Sequence, residues 1–178
     1  MPPDIECEKN ILSVGNDIID KKVRMFIYLV QHAKAKNEET DPARPLCEKG
    51  LADITKIASY VSALNIDVSE IFYSPKLRAK QTAQVLADYI KPKKGLSATD
   101  GLKPNDEPAI WAERLKSIVD DIMLVGHLPH LGKLAALLLC GEANKNIVTF
   151  QMSGIVCLKQ NESGAWSLQW MITPEIVS

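Results

Sequence analysis

Cysteine is sparse in this chain and badly placed for cross-linking. Four residues (Cys7, Cys47, Cys140 and Cys157) are scattered along 178 positions, and no two form a Cys-x-x-Cys pair. That spacing argues against a zinc ribbon or a disulfide framework. Cys140 and Cys157 lie in apolar stretches and are expected as core thiols. An excess of one charge is missing too: 21 Lys and Arg stand against 22 Asp and Glu. No global field therefore recruits nucleic acid or an anionic membrane, and any positive potential must be local. The N-terminus lacks the apolar core of a secretory signal. No apolar stretch is long enough to span a bilayer, so a reduced, cytoplasmic setting is the expectation. Internal repeats and low-complexity segments are absent as well.

What is present suits one soluble domain with a single core, being 46% hydrophobic and 24% charged. Residues 1–24 are polar and weakly patterned, and are expected as an N-terminal appendage to a domain spanning 25–178. Leu51, Ile54, Ala58 and Val61 recur at helical spacing, with Ile57 and Leu64 on the flank. A second helix is expected to open at Pro75 with Ser74 as its cap, carrying the stripe Ala79, Ala83, Leu86 and Ile90 up to Pro92. Ile110, Trp111, Leu115 and Ile118 suggest a third helix, and the nearly all-apolar segment 131–139 a fourth, buried one. Towards the end, 147–150, 154–159 and 165–172 read as strands, with Asn161-Glu162-Ser163-Gly164 turning the last pair into a hairpin. The alternation of strand and helix predicts an α/β fold: a mainly parallel central sheet flanked by helices, with a C-terminal hairpin.

Three apolar strands end in polar, chemically capable residues. Met25-Phe26-Ile27-Tyr28-Leu29-Val30 runs into Gln31-His32-Ala33. Ile71-Phe72-Tyr73 runs into Ser74-Pro75-Lys76-Leu77-Arg78, and Ile122-Met123-Leu124-Val125 into Gly126-His127-Leu128-Pro129. Ligands of open α/β sheets bind beyond the carboxyl ends of the strands. Two imidazoles and a guanidinium gathered there describe a phosphate site that contains a nucleophile. A neutral imidazole is a competent nucleophile near neutral pH. Arg78 offers planar, bidentate recognition of phosphate, which lysine cannot match. Ser74 and the first amides of the following helix are further candidate donors.

These strings, together with Ser-Pro-x-x-Arg-Ala-x-Gln-Thr over 74–82 and Arg44-Pro45-Leu46-Cys47-Glu48-Lys49-Gly50, resemble the histidine phosphatase superfamily, which includes the phosphoglycerate mutases. The short length, Leu102-Lys103-Pro104 and His127-Leu128-Pro129 point to its small phosphohistidine phosphatases of the SixA type. The resemblance implies a phosphoglycerate-mutase-like fold with His32 as nucleophile and carrier of a phosphohistidine intermediate. It implies that Arg78 and His127 hold the phosphoryl oxygens, and that neither a cofactor nor a metal is needed. The chain departs from the family at Gln31, where an arginine usually clamps the phosphoryl group, and at Ala33, where glycine is usual. Arg44 and Lys34 are the nearby cations able to compensate, which makes Gln31, Arg44, Arg78 and His127 the expected phosphate-binding set.

Competing readings exist for several of these residues. His32 alone is also compatible with a strand-end histidine bonded to a carbonyl. The spacing His127-x-x-His130 suits metal ligation, but no neighbouring carboxylate or cysteine completes a set. Asp106 and Glu107 are candidate general acids or, alternatively, caps for the helix containing Trp111. Asp120-Asp121 is read as a solvated turn at the opposite edge of the sheet. The expected substrate is a phosphohistidine-bearing protein, since no long insertion provides a lid over a small metabolite. The alternatives are a small phosphorylated substrate such as a phosphate ester, or a phosphate-binding regulatory pseudoenzyme.

Overall fold

A computed structural model describes residues 25–177; the 1–24 segment and Cys7 lie outside them. Six strands form one mixed sheet in the order β3-β2-β4-β1-β5-β6. The strands are β1 (Phe26–Gln31), β2 (Glu70–Tyr73), β3 (Leu96–Ala98), β4 (Ile122–Gly126), β5 (Ile155–Gln160) and β6 (Trp166–Ile172). The first four run parallel; β5 returns antiparallel beside β1, and β6 closes the hairpin.

Strand side chains alternate between two helical layers, which is why the central strands are apolar throughout. Tyr28, Val30, Ile71, Met123 and Val125 face the layer of α1 (Glu48–Ala63) and α2 (Leu77–Ile90). Ile27, Leu29, Leu124 and Val156 face Trp111, Leu131 and Leu134 of α3 (Ala109–Arg114) and α4 (His130–Cys140). The predicted stripes pack accordingly, except that Leu51 is half exposed and Ile54, Ile57, Ala58 and Val61 carry the contact of α1.

Several local expectations fail for identifiable reasons. Segment 147–150 forms no strand, because the loop after α4 must travel back along that helix before β5 begins opposite the end of β1. The helix carrying Arg78 starts at Leu77 with Lys76 as N-cap, so Ser74 caps nothing and is free for another partner. Neither Asp106 nor Glu107 caps α3, whose N-cap is Pro108; Asp106 instead accepts from the Lys103 amide at 2.9 Å and closes its own turn. Cys140 is exposed at the end of α4, whereas Cys157 is buried and its thiol is pushed up to about 12 by that burial. Asp121 is more than a solvated turn, since its Oδ1 accepts from the Phe26 amide at 2.7 Å and ties the start of β1 to β4.

The loop after β1 is drawn tightly onto α1. Cys47 N–H donates to the Lys34 carbonyl at 3.0 Å. A side chain at Gly50 would meet that same carbonyl at 2.0 Å, so only glycine allows the approach.

Candidate active site

β1, β2 and β4 are neighbours, so their carboxyl ends deliver His32, the 74–78 segment and His127 to one edge of the sheet. All three side chains are buried there: His32 at 8% exposure, Arg78 at 9% and His127 at 1%. The two imidazole rings lie 4.7 Å apart, centre to centre. His32 Nδ1 is 2.8 Å from the Ala33 carbonyl, and Arg78 Nε–H donates to His32 Nε2 at 3.2 Å. A carbonyl only accepts and this guanidinium only donates, so the proton sits on Nδ1 and Nε2 is unprotonated, its lone pair accepting from Arg78. The carbonyl bond that competed with the functional reading of His32 is thus the device that sets its tautomer.

Ser74 Oγ lies 3.0 Å from His127 Nε2, while His127 Nδ1 is buried without a partner. Burial lowers the His32 pKa to about 4, with Arg78 and Arg44 adding to the effect against the Ala33 hydrogen bond. His127 is lowered to about 3, again mainly by burial and then by His32, Arg78 and Lys76. Both rings are neutral at pH 7.

Arg78 forms no ion pair among the described residues. Burial and the charge of Arg44 lower its pKa, yet a guanidinium stays protonated. A buried cation without a counter-charge is costly unless an anion completes the site. Arg44 has its backbone in the left-handed region (φ 51°), donates from Nε to the Lys36 carbonyl at 3.4 Å and faces Glu38 at 4.0 Å, and its charge acts on His32 and Arg78. Lys34 points outward and is exposed.

Gln31 is buried, and its Oε1 has no partner. Its carbonyl accepts from the Ser153 amide at 3.1 Å. Asp106 and Glu107 make no hydrogen bond to His32, Arg78 or His127. His130 opens α4 fully buried with both ring nitrogens unpartnered, and among the described residues no group of three His, Cys, Asp or Glu could hold a metal.

Two supporting residues lacked a role in the sequence reading. Thr82 Oγ1 accepts from the Ala33 amide at 3.0 Å and donates to the Arg78 carbonyl at 2.7 Å. It therefore pins the loop of His32 to the helix of Arg78. Gln81 Oε1 accepts from the Leu46 amide at 2.8 Å and holds the loop that follows Arg44. The available signal was their place one turn after Arg78 on the same helix.

A sequence profile of the Histidine phosphatase superfamily (branch 1) matches residues 27–103. The chain is 31% identical over 153 residues to an uncharacterised protein of Picosynechococcus sp., covering 82% of this chain and 89% of that one. It is 24% identical over 155 residues to the phosphohistidine phosphatase SixA of Escherichia coli (strain K12), covering 84% of this chain and 94% of SixA. The solved structure of the protein histidine phosphatase SixA complexed with tungstate superposes with a TM-score of 0.78 at 23% identity, over 86% of this chain and all of that one.

Proposed function

The chain belongs to the histidine phosphatase superfamily, and from that membership we propose that it removes phosphoryl groups from phosphohistidine in a protein, with His32 as nucleophile. The observation that carries this reading is the buried guanidinium of Arg78, without an ion pair among the described residues, donating to the unprotonated Nε2 of His32. It is a cation waiting for an anion beside a lone pair positioned to attack it.

In the first step the Nε2 lone pair attacks phosphorus in line. The phosphorus–nitrogen bond to the substrate imidazole breaks with its electron pair going to that nitrogen, and the imidazole leaves neutral because its other ring nitrogen has already taken a proton from solvent. Arg78 moves its donors from Nε2 to the phosphoryl oxygens, where negative charge is held in the transition state. His127 and Ser74 contribute hydrogen bonds from the other side. Water then attacks the phosphorus on His32, inorganic phosphate departs, and the Nε2 lone pair is restored. One water is consumed per turnover.

The choice of substrate follows from the lack of a dedicated acid. Asp106 accepts from the Lys103 amide, and neither it nor Glu107 hydrogen-bonds to His32, Arg78 or His127. A protonated imidazole leaves more readily than an alkoxide, so a phosphoramidate suits this site better than an ester. Incubation with a phosphohistidine peptide and with phosphate esters, measuring released phosphate, tests the reading. Preferential release from the peptide is expected; hydrolysis of esters alone would move the substrate class, and no release from any would favour a phosphate-binding role in which Gln31 weakens catalysis.

A further inference from the structure

α4 starts three residues after His127 and leads away from the catalytic edge, so segment 141–154 must run back along it to reach β5. This return carries no helix or strand. Loops of more than about a dozen residues without regular structure are uncommon in compact domains and are mostly functional. Between the loop and α4 lies an open groove of about 370 Å3, lined among others by Leu128, Gly132, Lys133, Asn146, Val148 and Phe150. Its lining includes Leu128, which directly follows His127 in the chain.

Gly132 is the informative residue. Glycine inside a helix is about 1 kcal/mol less favourable than alanine, so its presence needs a reason. At Gly126 and Gly154, as at Gly50, backbone atoms crowd the place a side chain would take: a Cβ there would lie 3.3 Å from the Leu102 carbonyl and 2.9 Å from that of Gln151. At Gly132 the backbone is not left-handed and the nearest atom, Leu128 Cδ2, is an unstrained 3.7 Å away. Neither folding nor packing requires the glycine. A side chain there would instead fill the floor of the groove.

The walls combine apolar and cationic character. Leu128 is exposed beside buried Phe150, and Ile147 and Met152 are exposed along the same loop. Lys145 is paired with Glu142 at 2.7 Å, whereas Lys133 is exposed and makes no ion pair among the described residues.

We propose that this groove docks the polypeptide segment flanking the phosphorylated residue of a protein substrate, and that it selects segments pairing an apolar side chain with an acidic one. The apolar side chain lies over Gly132 between Leu128 and Phe150, and the carboxylate meets Lys133. Leu128, which lines the groove, is the residue next to His127, so a segment seated in the groove would present its phosphoryl group to His32. The inference rests on the phosphatase reading above.

The test uses the full chain with free phosphohistidine and two phosphohistidine peptides, one flanked by leucine and glutamate and the other by serine and lysine. The acidic, apolar peptide should show a kcat/KM roughly tenfold above the other two substrates. Gly132→Met should abolish that advantage while turnover of free phosphohistidine stays at the wild-type level. Lys133→Glu should reverse the preference between peptides by about three- to tenfold. Gly132→Ala, which fits without a clash, should melt at or above the wild-type temperature and keep the preference, which separates groove filling from misfolding. Equal rates on both peptides, or a preference that survives Gly132→Met, would overturn the proposal. Should even free phosphohistidine prove inert, the phosphatase reading fails on its own. The groove is then judged by fluorescence binding of the unphosphorylated peptides, where equal affinities would overturn it.

Discussion

The Nε of Arg78 lies 3.2 Å from Nε2 of His32, with both side chains buried. Together with the Ala33 carbonyl on Nδ1, this contact defines the tautomer of the imidazole and sets a guanidinium beside its unprotonated nitrogen. It also means that Arg78 must exchange partners when substrate binds. Arg78→Ala should lower kcat/KM on phosphohistidine by about 10²–10³, the usual cost of removing a preorganised donor. Arg78→Lys should recover little, because an ammonium lacks the planar fork. Near-full recovery by lysine would show that charge alone suffices.

The buried histidines give a pH signature. With His32 lowered to about 4 and His127 to about 3, both are neutral well below the ordinary histidine range. The acid limb of kcat/KM should therefore fall below pH 5.5 instead of near 6.5. For stability, a lowered folded pKa means that the unfolded chain binds protons first as pH drops. The stabilising contribution is complete above pH 6.5 and is lost between 6.5 and about 4, on the order of 3 kcal/mol from His32 alone. Denaturant titrations at pH 7.5 and pH 5 check the direction; greater stability at pH 5 would contradict it.

If Arg44 supplies the charge that Gln31 lacks, the two residues should respond differently to substitution. Gln31 is buried and uncharged next to His32 in the chain, while the charge of Arg44 is close enough to lower the pKa of both His32 and Arg78. Arg44→Ala should weaken inhibition by vanadate or phosphate by about ten- to a hundredfold, the worth of one charge-assisted hydrogen bond. Gln31→Arg should strengthen it only modestly, since it buries a further cation next to Arg78. The reverse ranking would mean that nothing compensates for Gln31.

Thr82 offers a test of positioning. Thr82→Val keeps the shape but leaves the buried Ala33 amide without its acceptor, a loss of about 1–3 kcal/mol. Melting temperature and kcat should both fall, with KM for free phosphohistidine little changed, and Thr82→Ser should restore kcat. A valine variant with unchanged kcat would show that the His32 loop does not depend on this tie.

The architecture was legible because the strands are buried on both faces and end in marked residues. His32, Arg78 and His127 could be assembled from topology before any coordinates, since adjacent parallel strands share an edge. Local detail was less accessible. Ser74 reads as a helix cap by residue type, but only the sheet order reveals His127 close enough to claim its hydroxyl. Residues 147–150 are apolar and β-branched enough to suggest a strand, yet their place is dictated by the path back along α4. The grip of Thr82 and Gln81 on two loops is a tertiary relationship between segments far apart in sequence. The openness above Gly132 is likewise visible only when the returning loop is in place.

The central claim is that His32 carries the phosphoryl group. Brief reaction with a ³²P-labelled phosphohistidine peptide followed by rapid denaturation should trap label on the protein. That label should be base-stable, acid-labile, located on the peptide containing His32, and absent from a His32→Ala variant that melts like the wild type. Undiminished labelling or turnover in His32→Ala, or label found on any other residue, would contradict the account.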